Sequence, residues 1–310
     1  QYLYWSRKWN QTKFSILAFK DDFGKYTADT VFINRNSTDP NKPASFVAGR
    51  RYGQTNDVNS RYTIGGQFNT QIGNASEGGR VLINGGGYYQ GGKNRDGQNL
   101  SAYHLFGYAM YTRGKWGIGP GYDLLSGNDG EAVKNNLGKK EADGSFSYTD
   151  NRFDPLYGTP HRWWGYMDYY YVGTGAPLGG LQNIYVRAQY KAKDLLITLD
   201  VHQFTTANKL WRSPYTEAGT TNVVAGETIS SNLGNEIDLV VNYQANKFVN
   251  LEAGASIYLS NLSTEVAKSG TPGMGAYAGK RNTGDFQQWG YVQLNITPDF
   301  LFQKPVTIKQ

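Results

Sequence analysis

The chain of 310 residues carries 31 Lys and Arg against 25 Asp and Glu, a formal net charge of +6, and 15% of its residues are aromatic. The basic residues are scattered and form no run, which argues against a nucleic-acid partner. No stretch reaches the roughly 18 consecutive apolar residues of a membrane-spanning helix, so an inner-membrane helical bundle is excluded. The chain contains no cysteine and therefore no disulfide.

Apolar and polar residues alternate with a period of two along most of the chain, which predicts β-strands. The pattern is clearest at 234–260, GNEIDLVVNYQANKFVNLEAGASIYLS, where two such stretches flank a turn short enough only for an antiparallel hairpin. In chain order, the predicted strands are 2–9, 13–20, 60–73, 81–92, 99–112, 116–127, 182–192, 195–204, 234–244, 249–260 and 286–302. A soluble sandwich would bury the apolar face of each strand, whereas a membrane barrel would turn it to lipid.

The lengths of the connections favour the barrel. Short connections (10–12, 73–80, 113–115, 193–194 and 245–248) alternate with long or polar ones (21–59, 94–98, 128–180, 206–233 and 261–285). Short periplasmic turns and long extracellular loops are typical of bacterial outer-membrane barrels. The predicted fold class is therefore all-β, a transmembrane antiparallel up-and-down β-barrel, and residues 1–310 form a single domain.

The aromatic stretch RWWGYMDYYYV at 162–172 is assigned to an extracellular segment instead of a strand. Counting it as a strand would place the later long loops on the periplasmic side. The remaining count is about eleven strands, and bacterial single-chain barrels have an even number. An odd number of strands is therefore expected before Gln1.

Two stretches resemble a known family. GYDLLSGND at 121–129 and RFDPLYGTPHRWWGYMDYYYVG at 152–173 resemble the alginate-export family of outer-membrane β-barrel porins. The resemblance implies a barrel of about 18 strands, which agrees with the odd number of strands expected before Gln1. The N-terminal strands of the family have no counterpart in this sequence. The alginate exporter conducts a polyuronate through an arginine-rich lumen. Here the inward positions mix basic and acidic residues, which departs from that pattern.

Two sets of candidate site residues follow from these assignments. Segment 128–180 is predicted to fold toward the pore, and its constriction candidates are Asp154, Tyr157, His161, Arg162 and Asp168. The alternative is that these side chains only cap turns and pair with the wall. The lumen-lining candidates are Arg61, Arg187, Lys191, Asp200, His202, Glu236, Asp238 and Glu252. They would orient permeating solutes with a transverse field, pair across neighbouring strands, or do both.

The sequence offers little support for metal binding or catalysis. SGNDGE at 126–131 has oxygen donors but lacks the regularly spaced Asp and Asn ligands and the terminal Glu of a calcium-binding loop. A turn is therefore predicted there, and no metal site is predicted. There is no nucleophile elbow, HExxH motif or P-loop. The sequence leaves open a catalytic pair of carboxylates, as in glycoside hydrolysis, because two acids that are distant in sequence can meet in the fold.

The resulting prediction is a non-enzymatic channel in the bacterial outer membrane, without a cofactor, that passes hydrophilic solutes, among which anionic solutes and saccharides are the candidates. Its expected partners are outer-membrane lipid, lipopolysaccharide, the solute and envelope proteins, and no nucleic acid. One rival hypothesis is a structural barrel that is occupied by a partner within a larger envelope complex. The other is a soluble carbohydrate-binding β protein.

Overall fold

The computed structural model describes residues 1–32, 46–52, 57–131, 148–155, 164–170, 177–212, 215–216, 223–269 and 286–298. The elements in these ranges are β1 (Tyr2–Trp9), β2 (Thr12–Gly24), β3 (Tyr26–Phe32), β4 (Phe46–Tyr52), β5 (Val58–Asn74), β6 (Gly79–Lys93), β7 (Asn99–Arg113), β8 (Trp116–Leu125), β9 (Leu181–Lys191), β10 (Leu195–Thr205), β11 (Leu210–Arg212), β12 (Tyr215–Thr216), β13 (Val223–Val224), β14 (Glu227–Ile229), β15 (Asn232–Asn246), β16 (Val249–Leu259), α1 (Leu262–Ser269) and β17 (Phe286–Ile296). Within the described ranges, no helix is both long and apolar enough to cross a membrane.

Eleven strands form one sheet in the order β1-β2-β5-β6-β7-β8-β9-β10-β15-β16-β17. All neighbours are antiparallel, and each strand pairs with the next strand of the sheet in sequence. This is an up-and-down meander, and the eleven predicted strands are confirmed. Short connections between strands alternate along the chain with longer ones, as predicted. Since consecutive connections of a meander lie at opposite ends, four of the long connections (25–57, 126–180, 206–231 and 260–285) share one end of the sheet.

Several predicted loops contain regular structure. Strand β2 continues to Gly24, past its predicted end, because its last residues pair with β5, where Asp21 lies opposite Arg61. The hairpin of β3 and β4 follows, so 21–59 is not simply a loop. The pairs β11–β14 and β12–β13 lie between β10 and β15, and α1 follows β16. Strand β17 ends at Ile296, and the last four residues of its predicted strand lie outside the described residues.

The sheet exposes its apolar face. On β15, Ile237 and Leu239 are 39% and 43% exposed, and Val186 of β9 is 46% exposed. On the opposite face of β15, Glu236 and Asp238 are 0% and 1% exposed. A water-soluble sheet buries its apolar face, so this sidedness is the reverse of a soluble sandwich. It matches a barrel wall whose apolar stripe contacts lipid.

Segments from the long connections cover the polar face at the end where those connections lie. A buried cluster forms there between aromatic side chains of 148–155 and 164–170 and apolar residues near the ends of the strands. Its members include Leu100, Leu125, Phe153, Trp164, Tyr170, Leu181, Phe204, Leu233 and Tyr258. The hydrophobic core therefore lies on the inner, polar side of the sheet, and it fixes these segments against the wall.

The sheet is open within the described residues. Strands β1 and β17 stand at its two edges, and each hydrogen-bonds to a single neighbour in the sheet. Closure by an odd number of further strands stays a prediction from the even strand number of such barrels, and the total of about 18 stays what the resemblance to the alginate-export family implies.

Candidate functional site

Segment 148–155 is fixed to the wall at Asp150. The Asp150 carboxylate accepts hydrogen bonds from the side-chain amides of Asn94, at 2.9 Å, and Asn128, at 3.0 Å. The guanidinium of Arg152 donates to both carboxylate oxygens, at 3.0 and 3.1 Å. Burial opposes ionisation of Asp150, but the hydrogen bonds from Arg152 and Asn94 outweigh it and hold its pKa below the ordinary value. This anchor joins the β6–β7 connection to the segment after β8.

The same segment has a second anchor at Asp154, one of the predicted constriction residues. Its carboxylate accepts a 2.8 Å hydrogen bond from Nη1 of Arg61, which is 4% exposed. The Gln90 side chain donates to the Asp154 carbonyl at 2.7 Å and accepts from the Asp154 amide at 2.9 Å. A predicted constriction residue and a predicted lumen residue thus form one contact, which holds the segment against β5 and β6.

Segment 164–170 lies against the acidic residues of β15. The Tyr166 amide donates to Oδ2 of Asp238 at 3.3 Å, and the Met167 amide donates to Oε1 of Glu236 at 2.8 Å. Gly165 has a φ of +83°, and a Cβ there would lie 2.3 Å from Oε1 of Glu236. Only glycine therefore allows this close approach. These hydrogen bonds from backbone amides to buried side chains hold the segment on the polar face.

The far end of this segment is fixed by Tyr170. Its hydroxyl lies 2.7 Å from the hydroxyl of Tyr258 on β16, which donates to the carbonyl of Leu233, and 3.4 Å from that carbonyl itself. Thr264 of α1 donates to the same carbonyl. Burial raises the pKa of the Tyr170 hydroxyl, and Tyr258 raises it further, so the phenol stays protonated and can donate.

Arg187 of β9 and the polar residues Asp200 and His202 of β10 contact side chains on neighbouring strands. Nε and Nη2 of Arg187 donate to the two carboxylate oxygens of Asp200, its direct neighbour in register, at 2.7 and 2.6 Å. Nε2 of His202 lies 3.5 Å from Asp238, and its Nδ1 lies 3.0 Å from the side-chain oxygen of Asn183. Arg187 and Asp200 therefore form a cross-strand pair, and their effect on permeating solutes stays a prediction.

The other predicted site residues are more dispersed. Glu252 accepts hydrogen bonds from Asn242, at 2.9 Å, and from the Tyr291 hydroxyl, at 2.6 Å. Lys191 is exposed near the short turn after β9, away from the covered end. Asp168 has a φ of +50° and lies in the segment close to Glu236. Tyr157, His161 and Arg162 lie outside the described residues.

Tyrosines on the inner face lie against glycines of the neighbouring strand. The three register pairs are Gly65 with Tyr88, Gly121 with Tyr185 and Gly254 with Tyr291. A Cβ on these glycines would lie 2.5, 2.0 and 2.1 Å from the nearest ring carbon of the paired tyrosine. Because glycine has no side chain, each ring can lie close to the wall. This explains part of the high content of Gly and Tyr, a role that composition alone did not reveal.

Sequence reasoning also missed Gln90 and Gly165. Gln90 stands on the inner face by strand parity, but its two contacts with the Asp154 backbone depend on a segment far along the chain. Asn128 of the SGNDGE motif donates to Asp150 and accepts from the Asn151 amide, as a turn residue does. Within the described residues, no cluster of three or more His, Asp or Glu side chains has the arrangement of a metal site.

These features define a class of structure, an antiparallel β-meander with an exposed apolar face and a polar face against which segments 148–155 and 164–170 are anchored. No protein-family model matches the sequence, and a search of curated proteins found no match. The resemblance to the alginate-export family is therefore not confirmed.

Among solved structures, the chain is similar to the outer membrane protein OprD from Pseudomonas aeruginosa, with a TM-score of 0.41 and 11% identity over 94% of this chain and 68% of that one. It is also similar to Pseudomonas aeruginosa OpdL, with a TM-score of 0.39 and 14% identity over 94% of this chain and 79% of that one.

Proposed function

We propose that this chain forms part of the wall of a channel in the bacterial outer membrane that passes hydrophilic solutes without catalysis. The observation that carries the proposal is the sidedness of the sheet. Leu239 and its neighbours on one face are exposed, while the face with Glu236 and Asp238 is polar and turned inward. Such a sheet is stable only if hydrocarbon contacts its apolar face. A barrel closed from this wall encloses a polar interior.

Segments 148–155 and 164–170 supply the selectivity in this proposal. Both are anchored to the inner face, at Asp154 and at Glu236, so they narrow the passage from the side of the long loops. The inner face carries both signs of charge, with Arg61 and Arg187 among several carboxylates. This mixture favours small hydrophilic solutes, including saccharides, over a single polyanion such as alginate. The short turns lie on the periplasmic side.

Conductance in planar lipid bilayers tests the proposal. We expect the purified full-length protein to require detergent for extraction and to insert as discrete, ion-conducting steps, because a polar interior holds water and ions. The control is the same protein denatured before addition, which produces no steps. A folded protein that inserts into bilayers but never conducts would contradict the proposed channel.

The core on the inner face also favours the structural alternative. Tyr170 and Phe204 are fully buried there, so part of the interior is filled by the chain itself. A barrel that is closed in this way would serve as a scaffold for an envelope partner. Inserted protein that blocks ions and co-purifies with a stable partner would favour this reading over a channel.

A further inference from the structure

Two tyrosine rings lie close together and nearly parallel on the inner face and form an aromatic surface. Tyr108 of β7 and Tyr185 of β9 have ring centroids 6.2 Å apart and planes inclined by only 15°. They lie on either side of β8, where Gly121 faces Tyr108 on one side and Tyr185 on the other in the strand register. Because Gly121 has no side chain, β8 places no side chain between the two rings at this register. Both rings are half-buried, so part of each stays accessible.

A planar polar group borders this surface. The Arg187 guanidinium lies close enough to Tyr108 to interact with its hydroxyl, and its bidentate pair with Asp200 uses Nε and Nη2. Nη1 is outside that pair. The Arg187 side chain is 23% exposed, while Asp200 is 1% exposed. The accessible group of this ion pair is therefore the Arg187 guanidinium, a hydrogen-bond donor whose positive charge is balanced by the Asp200 carboxylate.

Amide and hydroxyl groups continue the polar border. Gln189 and Thr198 are neighbours in register beside Arg187 and Asp200, and their side chains are 3.5 Å apart. Together the four residues offer donors and acceptors with no net charge. A neutral border gives no preference for an ion, but it suits a ligand that presents several hydroxyl groups.

We propose that Tyr108, Tyr185 and Arg187 form a subsite for the pyranose ring of a neutral saccharide, an inference that rests on the proposed channel. The apolar C–H face of a sugar ring packs on the tyrosine rings, and its hydroxyl groups bond to Arg187 and Gln189. Aromatic rings provide such packing with little conformational entropy to lose. The subsite lies on the passage wall and binds weakly, so that a solute can leave as well as enter.

Block of the ion current by maltohexaose, a neutral oligosaccharide, tests the subsite in the reconstituted full-length protein. We expect reversible block of the wild-type current. Tyr108→Leu and Tyr185→Leu remove a ring face, so each should raise the half-blocking concentration by about threefold to tenfold. Tyr108→Phe keeps the ring and should remain close to wild type. Tyr103→Leu is the matched control, because Tyr103 is on the same strand and its side chain is exposed on the opposite, apolar face.

Each result decides between the subsite and a merely structural role for the rings. A wild-type channel that conducts but is not blocked by maltohexaose would overturn the subsite and leave the channel intact. Equal block of wild type, Tyr108→Leu and Tyr185→Leu would overturn it as well. If the protein does not conduct, calorimetric titration of the detergent-solubilised protein with maltohexaose still tests the subsite, and absence of binding heat would reject it.

Discussion

Leu239→Lys is expected to destabilise the folded protein in a phospholipid bilayer by about 2–4 kcal/mol, the cost of a lysine on the lipid face near the bilayer midplane. Leu239 lies in the middle of β15, and its register neighbours on the apolar face are Leu199 and Ala255. All three are exposed and apolar, so the register neighbours offer no group that could pair with an ammonium there. The charge would lie in hydrocarbon or bend toward the interface.

The measurement is reversible unfolding by urea in phospholipid vesicles. Asn242→Lys is the matched control, since Asn242 is on the same strand but on the inner face and contacts Glu252 at 2.9 Å. A lysine at position 242 would contact a carboxylate and water, so we expect the free energy of unfolding to change by less than about 1 kcal/mol. Equal destabilisation by the two substitutions, or none from Leu239→Lys, would contradict the assignment of the apolar face to lipid.

Replacement of residues 153–170 by a short Gly-Ser linker is expected to raise single-channel conductance by about twofold or more, because it removes the side chains that we propose to narrow the passage. Phe153, Trp164, Tyr166 and Tyr170 are all buried on the inner side of the sheet. Wall residues such as Glu236 would then face water. The variant must first be shown to be folded, by its circular dichroism and its heat-dependent migration in gels.

A point substitution tests the same claim with less disturbance. Gly165→Ala introduces a Cβ where Glu236 leaves no room, in a left-handed backbone conformation, and should loosen 164–170 and increase the conductance to a smaller extent. Gly114→Ala is the matched control. Gly114 also has a positive φ, of +57°, but a Cβ there would meet nothing within 4 Å, and it lies in a short turn at the other end of the sheet. Unchanged conductance in both the linker variant and Gly165→Ala would show that the segment does not constrict the passage.

The strands could be predicted because their determinants are local. On β15, the alternation of Ile237 and Leu239 with Glu236 and Asp238 defines both faces without reference to any other strand. Turn and loop lengths then define the order, because antiparallel neighbours joined by short turns can form only a meander. The extension of β2 was missed because charged residues such as Asp21 resemble a loop until Arg61 is placed opposite.

The site could be predicted only in part, because its contacts join distant parts of the chain. Strand parity placed Arg61, Asp200 and Glu236 on the inner face. It could not show that Arg61 binds Asp154, 93 residues later, or that the amide of Met167 binds Glu236, 69 residues later. Both contacts depend on the path of a connection that has no repeating pattern, and periodicity carries no information about such a path.

The central claim is that lipid lies on the apolar face of the sheet and water on the other. These 310 residues contain no cysteine, so a single cysteine placed at each position from 237 to 244 has no competing thiol among them. With a fluorophore attached, quenching by brominated phospholipids should alternate, strong at 237, 239, 241 and 243 and weak at 238, 240, 242 and 244. Uniform quenching along β15, or strong quenching at the even positions, would contradict the account.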